Sequence, residues 1–165
     1  MVKMIHSLLP LDKLSIRTEI EQIMKSNEHS IKYGLVLTYN DAVQLVETRS
    51  EALRANGRIE IGSETIRKLI AAFYYSSYIT QQDYADTLHE LLEIFYYMKN
   101  ETLDLIPDDE LIGLMRNYYE NRCRGSLELL KHRELEKLAR NLRFGVPDYA
   151  NMDDSDDEAQ YEEEF

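Results

Sequence analysis

The sequence contains little of what secreted and membrane proteins rely on. It has a single cysteine, Cys123, so no disulfide can form within the chain. No stretch approaches the roughly 20 apolar residues that a membrane-spanning helix requires. Residues 1–10 are only briefly apolar and lack the small-residue cleavage site of a signal peptide. These absences predict a protein of the reducing cytoplasm without a membrane partner.

Motifs that carry known chemistry are also missing. There is no glycine-rich phosphate loop, no G-x-S-x-G, no C-x-x-C and no H-E-x-x-H. His89 and Glu93 supply two potential metal ligands, and two ligands do not make a zinc site. Cys123 lies between Arg122 and Arg124, which could activate its thiol, but we favour a buried cysteine at a helix end. We therefore predict no catalytic residues, no metal and no cofactor, which leans against an enzyme.

The acidic residues are unevenly distributed along the chain. The net charge is −12, and residues 148–165 hold nine acids and no base. The other 147 residues are nearly balanced, with 22 acids and 19 bases. A body without a clustered basic surface is not expected to bind nucleic acid or anionic membranes. We predict one folded domain over residues 1–147 and a disordered acidic tail over residues 148–165.

Apolar stripes at helical spacing predict a mainly α domain of about six helices. Each stripe follows a residue type that commonly begins a helix. The expected starts are at Ser15, Thr38, Ser63, Thr80, Pro107 and Ser126. Residues 33–37 and 58–61 are instead β-prone and flanked by glycines, so a minor two-stranded pairing between them is also expected.

Three stretches carry a resemblance to a known family. They are residues 37–62 (LTYNDAVQLVETRSEALRANGRIEIG), 78–115 (YITQQDYADTLHELLEIFYYMKNETLDLIPDDELIGLM) and 123–130 (CRGSLELL). Together they resemble a bacterial family of unknown function, most specifically in the GRIEIG and FYYMKNET segments. Ser77 departs from the proline that the family has there. The resemblance implies a bacterial cytoplasmic protein, and it assigns no catalytic residue, cofactor or substrate.

Arg49 falls on the apolar face of the second predicted helix, between Leu45 and Leu53. An arginine in that place must reach solvent or find a buried carboxylate. The candidate partners are Glu60, Glu101 and Asp104. Two interpretations stay open. One is an internal ion pair that fixes how the helix docks, and the other is an anion pocket in a small-ligand-binding protein or enzyme.

Tyrosine is abundant, with 12 residues, whereas tryptophan is absent. Tyr75 and Tyr97 fall on the polar faces of their helices, among charged residues. Exposed tyrosines are enriched at protein interfaces. We therefore predict that both bind a protein partner or a second copy of the chain, the alternative being that neighbouring loops cover them. The leading functional hypothesis is a non-catalytic, cytoplasmic protein-interaction module.

Overall fold

The computed structural model describes the backbone of residues 10–144 and the side chains of residues 15–144. Six helices make up most of this part. They are α1 (Pro10–Lys25), α2 (Tyr39–Ala55), α3 (Glu64–Phe73), α4 (Tyr84–Glu101), α5 (Asp108–Asn121) and α6, which runs through the consecutive segments Leu127–Leu129, Leu130–Leu135 and Glu136–Arg143. The predicted mainly α architecture is confirmed. The predicted tail, residues 148–165, lies outside the described residues.

Several helix ends follow directly from local sequence. Thr38 begins α2 with a complete capping box, in which its hydroxyl accepts from the Asp41 N–H and Asp41 accepts from the Thr38 N–H. Ser126 caps α6 through the Leu129 N–H. The predicted start of α1 at Ser15 is wrong, because that helix already begins at Pro10. Proline suits the first helical turn, where its missing N–H would have no partner.

Helix α4 lies at the centre of the packing. It packs against α2, α3 and the first segment of α6. On the outer side, α1 covers α2, and α5 packs on α3 and on the middle segment of α6. Apolar side chains from all six helices form one continuous core. The central position of α4 means that loops at its C-terminal end meet loops that follow α2.

The predicted two-stranded pairing is wrong, since no described residue lies in a strand. Side chains take the place of a second strand beside residues 36–37. The Gln81 amide both donates to and accepts from the backbone of Val36, and Asn27 does the same for Leu37. This arrangement satisfies the local backbone groups without a ladder. Residues 58–61 receive no such cover.

Candidate interaction surface

Arg49 is buried, as its helical phase predicts, and forms an ion pair inside the domain. Its Nη2 lies 3.0 Å from Oε2 of Glu19 on α1. The predicted partners Glu60, Glu101 and Asp104 are wrong. Arg49 pairs with Glu19, and each of the three contacts a different residue. The ion pair therefore joins α1 to α2, and Glu19 is the carboxylate that sequence reasoning missed.

A signal for Glu19 was present in the sequence. The apolar stripe of α1 includes Ile16, Ile20 and Ile23, and Glu19 falls on the same face of that helix. A carboxylate on one apolar face and an arginine on another are natural partners, since a buried charge needs a counter-charge. Matching the two faces would have required knowing that α1 packs on α2.

The surroundings of Arg49 bear on the anion-pocket hypothesis. Nε and Nη1 of Arg49 are buried and have no hydrogen-bond partner among the described residues. Its Nη2 is occupied by Glu19, whose second oxygen accepts the N–H of Gly62 at 3.0 Å. An anionic ligand at Arg49 would have to compete with this internal carboxylate.

Several polar contacts hold the loop between α2 and α3 against the C-terminal half of α4 and the residues that follow it. Arg58 binds the Asp104 carboxylate with both terminal nitrogens, at 2.9 and 2.5 Å. The Arg58 hydrogen bond lowers the pKa of Asp104 below its ordinary value. The hydroxyl of Tyr96 lies 2.9 Å from each oxygen of Glu60. The GRIEIG and FYYMKNET segments therefore contact each other.

Four large aliphatic side chains project into solvent around these polar contacts. They are Ile59, Ile61, Leu103 and Leu105, which are 96%, 89%, 75% and 61% exposed. We call these four residues the aliphatic patch. The two isoleucines follow Arg58 along one loop, and the two leucines flank Asp104 in the other. The sequence indicated only a β-prone segment at the isoleucines and gave no sign of the leucines.

The backbone beneath the patch is held in an unusual conformation. Leu103 and Asp104 have φ angles of 53° and 58°, in the left-handed region that non-glycine residues rarely adopt. Such conformations persist only where the surroundings enforce them. Here the Arg58 ion pair and the backbone bond from the Asp104 N–H to the Lys99 carbonyl hold the turn. The leucines are thus displayed by a turn with little freedom to move.

The predicted partner-binding tyrosines are both exposed, but they contact different helices. The Tyr75 ring lies 4.5 Å from the guanidinium carbon of Arg116 on α5. The Tyr97 ring lies 5.3 Å from Nζ of Lys131 on α6. No contact joins the two tyrosines within the described part of the chain, so they do not form one site.

Tyr97 borders a groove between α4 and α6. Two adjoining cavities of about 370 Å³ each lie along it, and both contact Lys131 and His132 of the π-helical segment Leu130–Leu135. The groove is acidic, because five glutamates line it against two basic side chains, Lys131 and Arg143. Neither cavity is lined by Arg49. These features define a concave surface without assigning it a ligand.

Cys123 and His89, the other two residues that the sequence suggested for chemistry, show no sign of reactivity. Cys123 is buried, and burial raises the pKa of its thiol to about 11, which favours the unreactive interpretation. Nδ1 of His89 lies 2.5 Å from the hydroxyl of Thr48. No group of three potential metal ligands occurs among the described side chains.

Comparison with known proteins gives the family and nothing about activity. Within residues 10–144, no helix is both long and apolar enough to cross a lipid bilayer. No curated protein and no solved structure matches the chain. One family model, described as a family of unknown function (DUF6323), matches residues 22–148. Because this match covers well over half of the sequence, the chain belongs to that family.

Proposed function

We propose that this chain is a non-catalytic protein-interaction module and that the aliphatic patch is its binding surface. The observation that carries the proposal is the exposure of Ile59, Ile61, Leu103 and Leu105 around one ion pair. Single exposed apolar residues are ordinary, whereas a group of them commonly marks a binding surface. Burial of four such side chains would supply a substantial part of a binding energy.

The rigidity of the patch supports the same proposal. Arg58 and Glu60 are bound to Asp104 and Tyr96, so the loop that carries the isoleucines is fixed to α4. The bond from Gly62 to Glu19 ties its far end to α1. A surface fixed before binding loses less conformational entropy when its partner arrives. The strained turn at Leu103 belongs to the same preorganised surface.

The competing hypothesis is a small-ligand-binding protein or enzyme centred on Arg49. It is less well supported, because Arg49 is buried and already paired with Glu19. We place the proposed module in the bacterial cytoplasm, and the buried, unpaired Cys123 is in keeping with a reducing compartment.

Site-specific photo-crosslinking tests the proposed surface. A photoreactive phenylalanine analogue would replace Ile61 in the patch or, as a control, the exposed Glu51 on α2. We expect discrete protein conjugates from position 61 in cells and none from position 51. Leu103→Asn should weaken the conjugates, and asparagine tolerates the left-handed backbone there.

The conjugates must depend on the patch to support the proposal. If position 61 yields no more conjugates than position 51, or if Leu103→Asn leaves them unchanged, the aliphatic patch is not the binding surface. Circular dichroism of each variant would confirm that the helices remain folded.

A further inference from the structure

We propose that the patch binds a second copy of the chain, with residues 58–61 of the two copies paired as antiparallel strands. This inference rests on the proposed function and names its partner. The resulting dimer has two-fold symmetry, with the axis passing beside Ile59. Free backbone groups, the alternation of side chains and the charges that would face each other support this pairing.

The backbone groups needed for strand pairing are free. Within the described residues, no hydrogen bond is made by the backbone N–H or C=O of residues 59–61. The other extended segment differs, because Gln81 and Asn27 already satisfy Val36 and Leu37. An exposed segment with open donors and acceptors is a template for an added strand.

Side chains alternate along the free segment as they do in a strand. Ile59 and Ile61 point to solvent, whereas Arg58 and Glu60 point inward to Asp104 and Tyr96. This alternation has the two-residue period of an extended chain. One face of the segment is therefore anchored to the domain, and on the other face Ile59 would lie beside Ile59 of the second copy.

The charges select one register of the two strands. With Ile59 opposite Ile59 of the second copy, Arg58 faces Glu60 twice. Opposite charges at facing positions stabilise an antiparallel pair, whereas a shift by one residue would place the two Glu60 carboxylates against each other. The chosen register pairs Ile59 N–H with Ile59 C=O of the other copy, and it brings Ile61 N–H to the C=O of Gly57, the left-handed residue that precedes the strand. None of these groups makes a hydrogen bond within the described residues.

Two-fold closure explains why a second copy fits better than an open stack of strands. Each copy offers the same short segment, and pairing two of them satisfies both. Pairing also places Ile59 of one copy against Ile59 of the other, which reduces the exposure of both side chains. A closed pair also removes the exposed edge that otherwise invites aggregation.

Engineered cysteines test both the pairing and its register. In an antiparallel pair, hydrogen-bonded residues that face each other lie about 5.5 Å apart at Cα, within the range that a disulfide spans. In the proposed register the two copies of residue 61 are about 13 Å apart. Cys123 is buried, so an added cysteine is the accessible thiol. Variants Ile59→Cys, Ile61→Cys and Glu51→Cys would be oxidised at matched concentrations.

We expect Ile59→Cys to form a disulfide-linked dimer at least about tenfold faster than either of the other two variants, because only residue 59 faces its own copy. In the parent protein, sedimentation should show a reversible dimer. Hydrogen exchange should slow at the Ile59 and Ile61 amides as concentration rises, and the Glu60 amide should not change.

Other outcomes would overturn the inference. Equal oxidation rates for the three cysteine variants, or faster oxidation of Ile61→Cys than of Ile59→Cys, would exclude this pairing. A parent protein that stays monomeric up to millimolar concentration would exclude the dimer. If photo-crosslinking at residue 61 then still captured a different protein, self-pairing would be wrong and the interaction module would stand. If it captured nothing, both proposals would fail.

Discussion

Arg49 on α2 and Glu19 on α1 form an ion pair with both side chains buried, at a distance of 3.0 Å. Removing one member of a buried pair leaves the other charge without compensation, which typically costs about 3–5 kcal/mol. We therefore expect Arg49→Ala to lower the melting temperature by roughly 10–15 °C. Thermal unfolding followed by circular dichroism would measure this loss.

A double variant separates the charge from the packing. Replacing both partners of a buried ion pair by apolar residues is often close to neutral, so Arg49→Met with Glu19→Leu should recover most of the lost stability. A remaining deficit is expected, because the Gly62 N–H loses its acceptor. An Arg49→Ala variant that melts like the parent would contradict the importance of the pair.

A second prediction concerns the hydrogen bond between Tyr96 and Glu60. The Tyr96 ring is buried. This burial, and to a smaller extent the nearby Glu60 charge, raises the pKa of its hydroxyl. Tyr96→Phe removes the hydroxyl that donates to the Glu60 carboxylate. We expect the free energy of unfolding in urea to fall by about 1.5–3 kcal/mol, as is typical of hydrogen bonds to charged groups. A change within experimental error would show that water replaces the hydroxyl without cost.

Two glycines provide a matched pair of substitutions. Gly125 has a φ of 84°, and an added Cβ would lie 2.6 Å from Cβ of Tyr78. Gly113 is an exposed helical residue in α5 with nothing within 4 Å of an added Cβ. We expect Gly125→Ala to reduce the free energy of unfolding by more than about 1 kcal/mol. Gly113→Ala should raise it by about 0.5–1 kcal/mol. Urea denaturation distinguishes the two, and equal effects would contradict the geometry at Gly125.

Alkaline pH should destabilise the domain through its buried acids. Burial raises the pKa of Cys123 from 9.0 to about 11, and those of Tyr84 and Tyr119 from 10.0 to about 12. The folded chain therefore retains these protons at pH values where the unfolded chain has lost them. Since the unfolded state then binds fewer protons, stability falls as pH rises.

The pH range of this loss of stability follows from the same pKa shifts. The loss begins near pH 9, the unfolded value for cysteine, and continues to about pH 12. Melting temperatures measured across this window would test it, and tyrosinate absorbance would report the ionisation. Cys123→Ala should remove part of the loss between pH 9 and 11. A flat profile between pH 9 and 12 would contradict the burial of these groups.

Much of the helical layout could be predicted from sequence, because it depends on neighbouring residues. The capping box of Thr38 and Asp41 involves positions three apart, so its contacts are local. Helical phase placed Arg49 inside for the same reason. The exposure of Tyr75 and Tyr97 was also predictable from phase, although their role in binding stays a prediction.

The errors arose where distant residues decide the outcome. Residues 33–37 looked β-prone, but Gln81, far along the chain, satisfies the backbone groups of Val36, and Asn27 satisfies those of Leu37. Arg49 needed a carboxylate, and Glu19 was identifiable only once α1 was seen to cover α2. Local propensity carries no information about which distant residue will contact a segment in the folded chain.

Short-range periodicity, capping and local motifs are enough to predict the helices, the burial of Arg49 and the family from the sequence. The aliphatic patch, in contrast, depends on long-range packing. Ile59 and Leu103 lie in separate loops, and the Arg58–Asp104 ion pair brings these loops together across 46 positions of sequence. A contact of that range depends on how α2 and α4 pack. For that reason the proposed binding surface is a property of the fold and has no continuous motif.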